Sequence, residues 1–513
     1  MFRDARTVSD GEVLDCDVCI VGTGAAGVTC AVELRDAGLR VTVLESGGLK
    51  PDAATDSLYG IESAELPVPE SSRQRFFGGT TNSWWGKVAL LDPGDFARRD
   101  WVDGSGWPID RSDLDPFYRR ACELLGLPDL TEFAPAPSTV SRDALLDDGA
   151  LEAKSFFWKD PVNFGELYRR RAAGAPNVTT LLNANATELL LDESGRMDRV
   201  AVATLNGRRF HVKARAAIVA CGGIENARLL LNSTSDRPAG VGNEFDQVGR
   251  HYMDHPRGPS GIVETLDAIG GLLPAYWSGK RHRSVRYRVG VSLSARAQAE
   301  TRSLNSYVNL SPVYGGGVGG GVGAIRDLYR KGPAALRNRA TRRALLTGVP
   351  DIVRYFRFKR YGRGRMRALT VENYMEQEPR ASNRVTRSDR RDALGDPLAR
   401  VSWSLSELDR HTVRTLHAAL DAELRARSIG RVTGPIMSGD GIEWPVANDA
   451  AHHMGTTRMG TDPRSSVVDP ECRVHGIENL YIAGSSVFPT GGAANPTLTI
   501  IALAIRLAGH VRS

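Results

Sequence analysis

Cysteine is scarce in this chain. Six occur in 513 residues: Cys16, Cys19, Cys30, Cys122, Cys221 and Cys472. So few thiols in so long a chain do not suit a disulfide framework, which belongs to small secreted proteins. Cys16 and Cys19 form a CxxC, but within a strand an offset of three places side chains on opposite faces. The expectation is therefore core and surface thiols, not a redox pair or a metal clip. No CxxCH occurs, so any electron-transfer haem would sit on a partner. No stretch offers the roughly 18 uncharged apolar residues of a membrane span. The opening MFRDARTVSDGEVLDCD has no apolar core of a secretory signal, so a cytoplasmic location is expected.

What is present suits a globular protein. Hydrophobic residues make up 41% and charged residues 25%. The length exceeds one ordinary core, so two domains are expected, with interleaving allowed. Charge is uneven. Residues 325–367 hold fourteen Lys or Arg and two Asp, so this segment carries +12 and the rest of the chain −6.

Residues 15–47 carry the strongest local pattern. An apolar run, Val18 to Val21, reads as a buried strand. GTGAAG is a turn, Val28 to Asp36 reads as a helix ended by Gly38, and Val41 to Leu44 is a second strand. Gly22 makes the tight turn, Gly24 lets the backbone approach a pyrophosphate, and Gly27 lets the helix pack on the strand. The helix N-terminus then faces phosphates. Glu45 ends the second strand, where a carboxylate accepts ribose hydroxyls. Alone, the glycine pattern also fits a ligand-free helix start. The flanking strand, helix and acid point to a dinucleotide, without separating FAD from NAD.

GGGVGGGVG (315–323) contains the same formal pattern, but no apolar strand ending in an acid follows it. A flexible loop or lid is the better reading. Near the C-terminus, HHMGTTRMG (452–460) and AANPT (493–497) put polar groups among glycines. A lone histidine is usually structural. In a chain with a dinucleotide site, an imidazole also suits the proton removal of an alcohol oxidation.

Seven segments occur together: GTGAAG with Glu45, FFGGTTNSWWG, GWPIDRSDLDPFY, IVACGGIENARLLLNS, VGRHYMDHP, HHMGTTRMG and NLYIAGSSVFPTGGAANPTLT. In this order, over nearly the whole length, the chain resembles the glucose–methanol–choline (GMC) oxidoreductase family. The resemblance implies FAD and an α/β fold, in which a Rossmann-like FAD-binding domain is interleaved with a β-sheet substrate domain. It assigns 12–92, 176–255 and 444–513 to the first. It assigns 93–175 and 256–443 to the second, with a basic Gly-led insertion at 315–367. His452 fits the family's His-x-x-Gly-Thr-x-Arg-Met-Gly and becomes the implied base; His453 does not fit it. Asn495, before Pro496 and Thr497, takes the second catalytic position. The His and Asn pair resembles the sugar-acting branch, including pyranose oxidases. Ser83 stands where some relatives carry a histidine bound covalently to FAD, so non-covalent FAD is implied. Gly79, Thr80, Asn82 and Ser83 are expected at the flavin, Gly484 and Ser485 at the pyrophosphate, and Ala186 near the adenine. Asn495, Pro496 and Thr497 are also counted among the cofactor contacts. No metal site is expected.

The implied activity is oxidation of an alcohol, by proton abstraction at His452 and hydride transfer to flavin. The substrate class is a sugar or glycoside hydroxyl, with oxygen or another electron acceptor completing the cycle. An aminoglycoside is one candidate, since Asp440, Glu443 and Asp449 could meet a cationic sugar; they serve equally as solvated loop residues. The alternatives are an FAD-containing hydroxynitrile lyase and a non-catalytic module that binds an anionic partner. VPDIVRYFRFKRYGRGRMR interleaves aromatic and basic residues. It suits a helical lid or subunit contact, or a membrane-surface or protein contact; no nucleic acid is expected.

Overall fold

The computed structural model describes residues 1–132, 149–158, 165–166, 169, 171, 174–265, 280–282, 285–312, 321–350, 352–353, 356, 368–438 and 451–513. Most of the GGGVGGGVG run, the most basic part of the insertion, and Asp440, Glu443 and Asp449 lie outside the described residues.

Strand Val13–Val21 is the centre of the first sheet, because its C-terminal half is apolar on both faces. Val18, Cys19, Ile20 and Val21 are all buried. It lies between Val41–Glu45 and Arg209–Val219, parallel to both. The order across the sheet is Phe2–Asp4, Val178–Leu182, Val41–Glu45, Val13–Val21, Arg209–Val219, Met197–Ala203 and Asn185–Leu191. Leu480–Ile482 also pairs with Arg209–Val219 in parallel. The helix after GTGAAG spans Ala25–Glu33, so it begins at the glycine turn itself and ends before Gly38. The C-terminal helix Thr497–Arg512 packs against it and against Asp115–Leu125. Leu498, Ile501 and Leu503 are buried there, each contributing about 1.5–3 kcal/mol of apolar burial.

One expectation about this sheet is corrected. The N–H groups of Asp17 and Val18 both reach the Arg40 carbonyl, at 2.9 and 3.1 Å. This kink breaks the strict alternation, and the Cys16 and Cys19 thiols meet instead of facing opposite ways. Both are buried free thiols.

The second sheet is antiparallel. Its order is Gly430–Thr433, Arg257–Thr265, Ala368–Met375, Ser306–Pro312, Val285–Leu293, Leu151–Trp158 and Lys87–Val88, with Lys280–His282 beside Val285–Leu293. Helix Glu407–Ala426 covers one face with Leu416, Leu420 and Leu424. Along Ala368–Met375 the alternation is strict. Leu369, Val371, Asn373 and Met375 are buried, while Thr370, Glu372 and Tyr374 are partly open on the other face. A three-stranded sheet joins Ile61–Glu65 to Arg384–Arg391 and Pro397–Trp403. The described part of the insertion is helical, over Gly321–Lys331 and Arg339–Thr347.

Candidate active site

One long cavity runs past the ends of the parallel strands, where α/β sheets bind ligands. Gly22, Gly24, Glu45, Gly79 and Thr80 line it. So do Ala186, Gly484, Ser485, Pro496, Thr497 and His452. Residues from both ends of the chain are thus brought to one space. Gly27, Asn82, Ser83 and Asn495 do not line it, and each has another contact. An added Cβ on Gly27 would meet the Gly22 carbonyl, so Gly27 serves packing. Asn82 donates to the carbonyls of Phe77 and Gly79 at 2.9 and 3.0 Å and shapes the loop. Exposed Ser83 donates to the Thr80 carbonyl at 3.3 Å. Asn495 reaches the His452 ring.

The cavity suits FAD. Gly24 caps helix Ala25–Glu33 with no side-chain hydrogen bond, and nothing lies within 4 Å of where its Cβ would stand. The first N–H groups of the helix therefore face open space, which suits a pyrophosphate. Glu45 is buried at this end. Its Oε1 accepts the Gly47 N–H at 2.9 Å, and its Oε2 accepts the Thr23 N–H at 3.2 Å and the Thr23 hydroxyl. Burial pushes its carboxyl above the usual range, with the Thr23 hydrogen bond opposing. Further hydroxyl donors, such as those of a ribose, would favour its charged form. The Thr23 hydroxyl also accepts the Gly78 N–H at 3.2 Å, tying the second glycine loop to the first. Sequence reasoning missed Arg73, Arg75 and Glu225 in the same wall. Arg73 Nη1 lies 2.7 Å and Arg75 Nη1 3.3 Å from Glu225. Burial raises the Glu225 carboxyl, but Arg228, Arg73 and Arg75 outweigh it and bring the value down to about 2.

At the other end stand the histidines. His452 Nε2 lies 3.3 Å from Asn495 Nδ2, and its Nδ1 lies 2.9 Å from His255 Nδ1. The His453 ring turns elsewhere, with Nε2 3.3 Å from the Ser72 hydroxyl and 3.8 Å from Asp254 Oδ2. Adjacent imidazoles therefore serve different neighbours, although both touch the cavity. Burial pushes His452 well below the usual imidazole range, helped by His255, Arg257, His453 and Lys87. It is a neutral acceptor at physiological pH.

Lys87 comes from the edge of the second sheet. Its Nζ donates to Tyr307 Oη at 2.9 Å and lies 4.1 Å from the Phe156 ring centre and 4.8 Å from that of Tyr374. Burial, then Arg288 and Arg257, brings its ammonium down to about 7. Below this region Arg99 and Glu376 form a buried bidentate pair at 2.8 and 2.6 Å. Removing one partner of such a pair costs about 3–5 kcal/mol. Glu376 also accepts the Asn305 N–H at 2.8 Å and lies beside Gly492, in the loop that precedes Asn495.

Residues 17–252 match the family model described as FAD dependent oxidoreductase, and 379–504 match GMC oxidoreductase. Paromamine 6'-oxidase of Streptomyces fradiae is 28% identical over 96% of this chain and 91% of its own length. The fructose dehydrogenase large subunit of Gluconobacter japonicus is 24% identical over 98% of both chains. The crystal structure of pyridoxine 4-oxidase from Mesorbium loti shares the fold with a TM-score of 0.58, at 18% identity over 96% of this chain and 99% of that one. The chain therefore carries an FAD oxidoreductase domain and a GMC oxidoreductase C-terminal domain, and is an FAD-dependent enzyme that oxidises an alcohol.

Proposed function

We propose that the substrate is a sugar or aminoglycoside hydroxyl and that His452 removes its proton. The observation that carries the mechanism is the His452 Nε2 to Asn495 Nδ2 approach of 3.3 Å beside the FAD cavity. FAD, when bound, supplies the hydride acceptor. The neutral His452 ring takes the hydroxyl proton at Nε2, and the Asn495 amide orients the substrate oxygen by donating to it. Glu45 would hold the ribose, while the Gly24 helix start, Gly484 and Ser485 would hold the pyrophosphate. Carbohydrate specificity is supported by two of the relatives, whose names specify paromamine and fructose. Polar groups on the open face of the second sheet, Glu372 and Tyr374 with Lys87 beside them, suit a substrate with many hydroxyls.

The test is anaerobic mixing of the yellow holoenzyme with sugars, aminoglycosides and simple alcohols. Bleaching by a carbohydrate, reversed by oxygen or an added acceptor, supports the reading. Bleaching by simple alcohols alone overturns the substrate class. Turnover of a hydroxynitrile with the flavin still yellow favours the lyase.

We also propose that the basic insertion touches an anionic membrane surface. Leu346, Val349 and Val353 are exposed at offsets of three and four, and Arg339, Arg342 and Arg343 are exposed close by in sequence. Co-sedimentation with anionic but not zwitterionic vesicles, weakened by Leu346→Glu, supports this. Equal recovery with both overturns it.

A further inference from the structure

The hydrogen bonds around His452 have a direction. His255 Nε2 lies 2.8 Å from the Gly492 carbonyl oxygen. A carbonyl only accepts, so His255 Nε2 carries a proton. In a neutral ring Nδ1 is then a bare acceptor. The atom facing it at 2.9 Å is His452 Nδ1, which must therefore donate. His452 Nε2 is left with its lone pair, directed toward the Asn495 amide, which donates. The chain reads from Asn495 N–H to His452 Nε2, from His452 Nδ1–H to His255 Nδ1, and from His255 Nε2–H to the Gly492 carbonyl.

We propose that His255 is the positioning residue of the base: it fixes His452 as the Nδ1–H tautomer, with Nε2 free to take the substrate proton. This rests on the reading of His452 as that base.

Further observations support it. Asp254 Oδ1 accepts the backbone N–H of both histidines, at 2.6 Å for His255 and 3.2 Å for His452, so one carboxylate sets both Cα positions. The two rings meet edge-on, with centres 5.1 Å apart and planes at 85°, so the hydrogen bond also fixes the His452 ring plane. Gly492 itself lies beside Glu376, which is paired with Arg99. Burial pushes His255 down to about 4, with the Gly492 hydrogen bond opposing, so its Nδ1 stays unprotonated at neutral pH.

The arrangement is an anchor and not a relay. A proton handed to His255 Nδ1 would have no onward acceptor, since Nε2 already donates to a carbonyl that cannot accept a proton outright. The proton taken at His452 Nε2 must leave from Nε2. The imidazolium formed in between gains a shorter, charge-assisted hydrogen bond to His255.

The experiment uses protein labelled with 15N-histidine, with His452 resonances identified by their loss in His452→Gln. In the parent, without substrate, His452 should show a protonated Nδ1 and a bare Nε2. His255→Asn keeps an acceptor oxygen where Nδ1 stood and should retain that pattern and most of the flavin-reduction rate. His255→Leu should give mixed tautomers and reduce flavin at least about tenfold more slowly with FAD bound, since a misplaced reacting group can cost about a hundredfold. A parent His452 protonated at Nε2 overturns the proposal. So do His255→Leu protein with an unchanged spectrum, and His255→Asn as slow as His255→Leu. If His452→Ala reduces flavin at the parental rate, the base assignment fails instead, whatever the tautomer.

Discussion

Gly27 packs its bare Cα against Gly22 so closely that an added Cβ would stand 1.9 Å from the Gly22 carbonyl oxygen. Gly24, between them, has nothing within 4 Å of its Cβ position and opens on the cavity. Two glycines of one motif thus answer to different demands, one to packing and one to ligand approach. Gly27→Ala should lower the melting temperature sharply or prevent folding. Gly24→Ala should leave apoprotein stability close to the parent while FAD affinity falls at least tenfold or so. Equal stability losses in both variants would remove Gly24 from the ligand wall.

Glu45 is buried, yet among the described residues its carboxylate accepts hydrogen bonds only from Thr23 and Gly47. Glu45→Gln keeps the shape and removes the charge. Charge-assisted hydrogen bonds are worth about 1.5–3 kcal/mol, so FAD affinity should fall about tenfold or more. A titration of apoprotein with FAD checks it; unchanged affinity would leave Glu45 as a partner of Thr23 alone.

His452→Ala should slow flavin reduction about 10²–10⁴-fold with FAD retained. His453→Ala should act far less, because its ring faces Ser72 and Asp254. As the proposed base, His452 acts in its neutral form, and burial holds its ionisation well below 6.5. The parental rate should therefore stay flat as pH falls through 6.5 and decline only at more acidic pH. Stopped-flow reduction across pH reads both points. A decline centred near the ordinary imidazole value would contradict the buried environment.

Ser83 is exposed and offers only a hydroxyl, held by the Thr80 carbonyl. Acid precipitation should release all the FAD into the supernatant. Flavin that stays with the pellet would mean a covalent link formed elsewhere.

His417 lies under the second sheet, fully buried, with Nε2 2.9 Å from the Ser260 hydroxyl. Burial brings it down to about 4. The unfolded chain binds that proton near the usual imidazole value, so stability is full above about 6.5 and falls as pH drops toward 4. At about 1.4 kcal/mol per pH unit, this one group can cost up to roughly 3 kcal/mol. His417→Gln, which does not titrate, should show denaturation midpoints that fall less steeply over this range. Parallel curves would show that His417 contributes nothing to acid sensitivity.

The sequence alone determined what depends on near neighbours along the chain. The strand, glycine turn, helix and Glu45 are legible because their spacing is set by local backbone geometry. The family resemblance singles out His452 over His453 as the implied base, because its nine-residue pattern accepts only one register. Boundaries shifted by a few residues, and the Cys16 to Cys19 alternation failed, because a kink at Asp17 and Val18 is invisible in a list of residues. What only the tertiary structure decided are pairings across long separations. Lys87 meets Tyr307 and Arg99 meets Glu376 over hundreds of residues. His255 lies in VGRHYMDHP, a segment legible as a motif, yet nothing in it names a partner 197 residues away. Tautomers, depressed imidazoles and a directed chain of hydrogen bonds depend on burial and on distances of about 3 Å. Those arise only when the mixed first sheet, the antiparallel second sheet and the C-terminal loops close on one another.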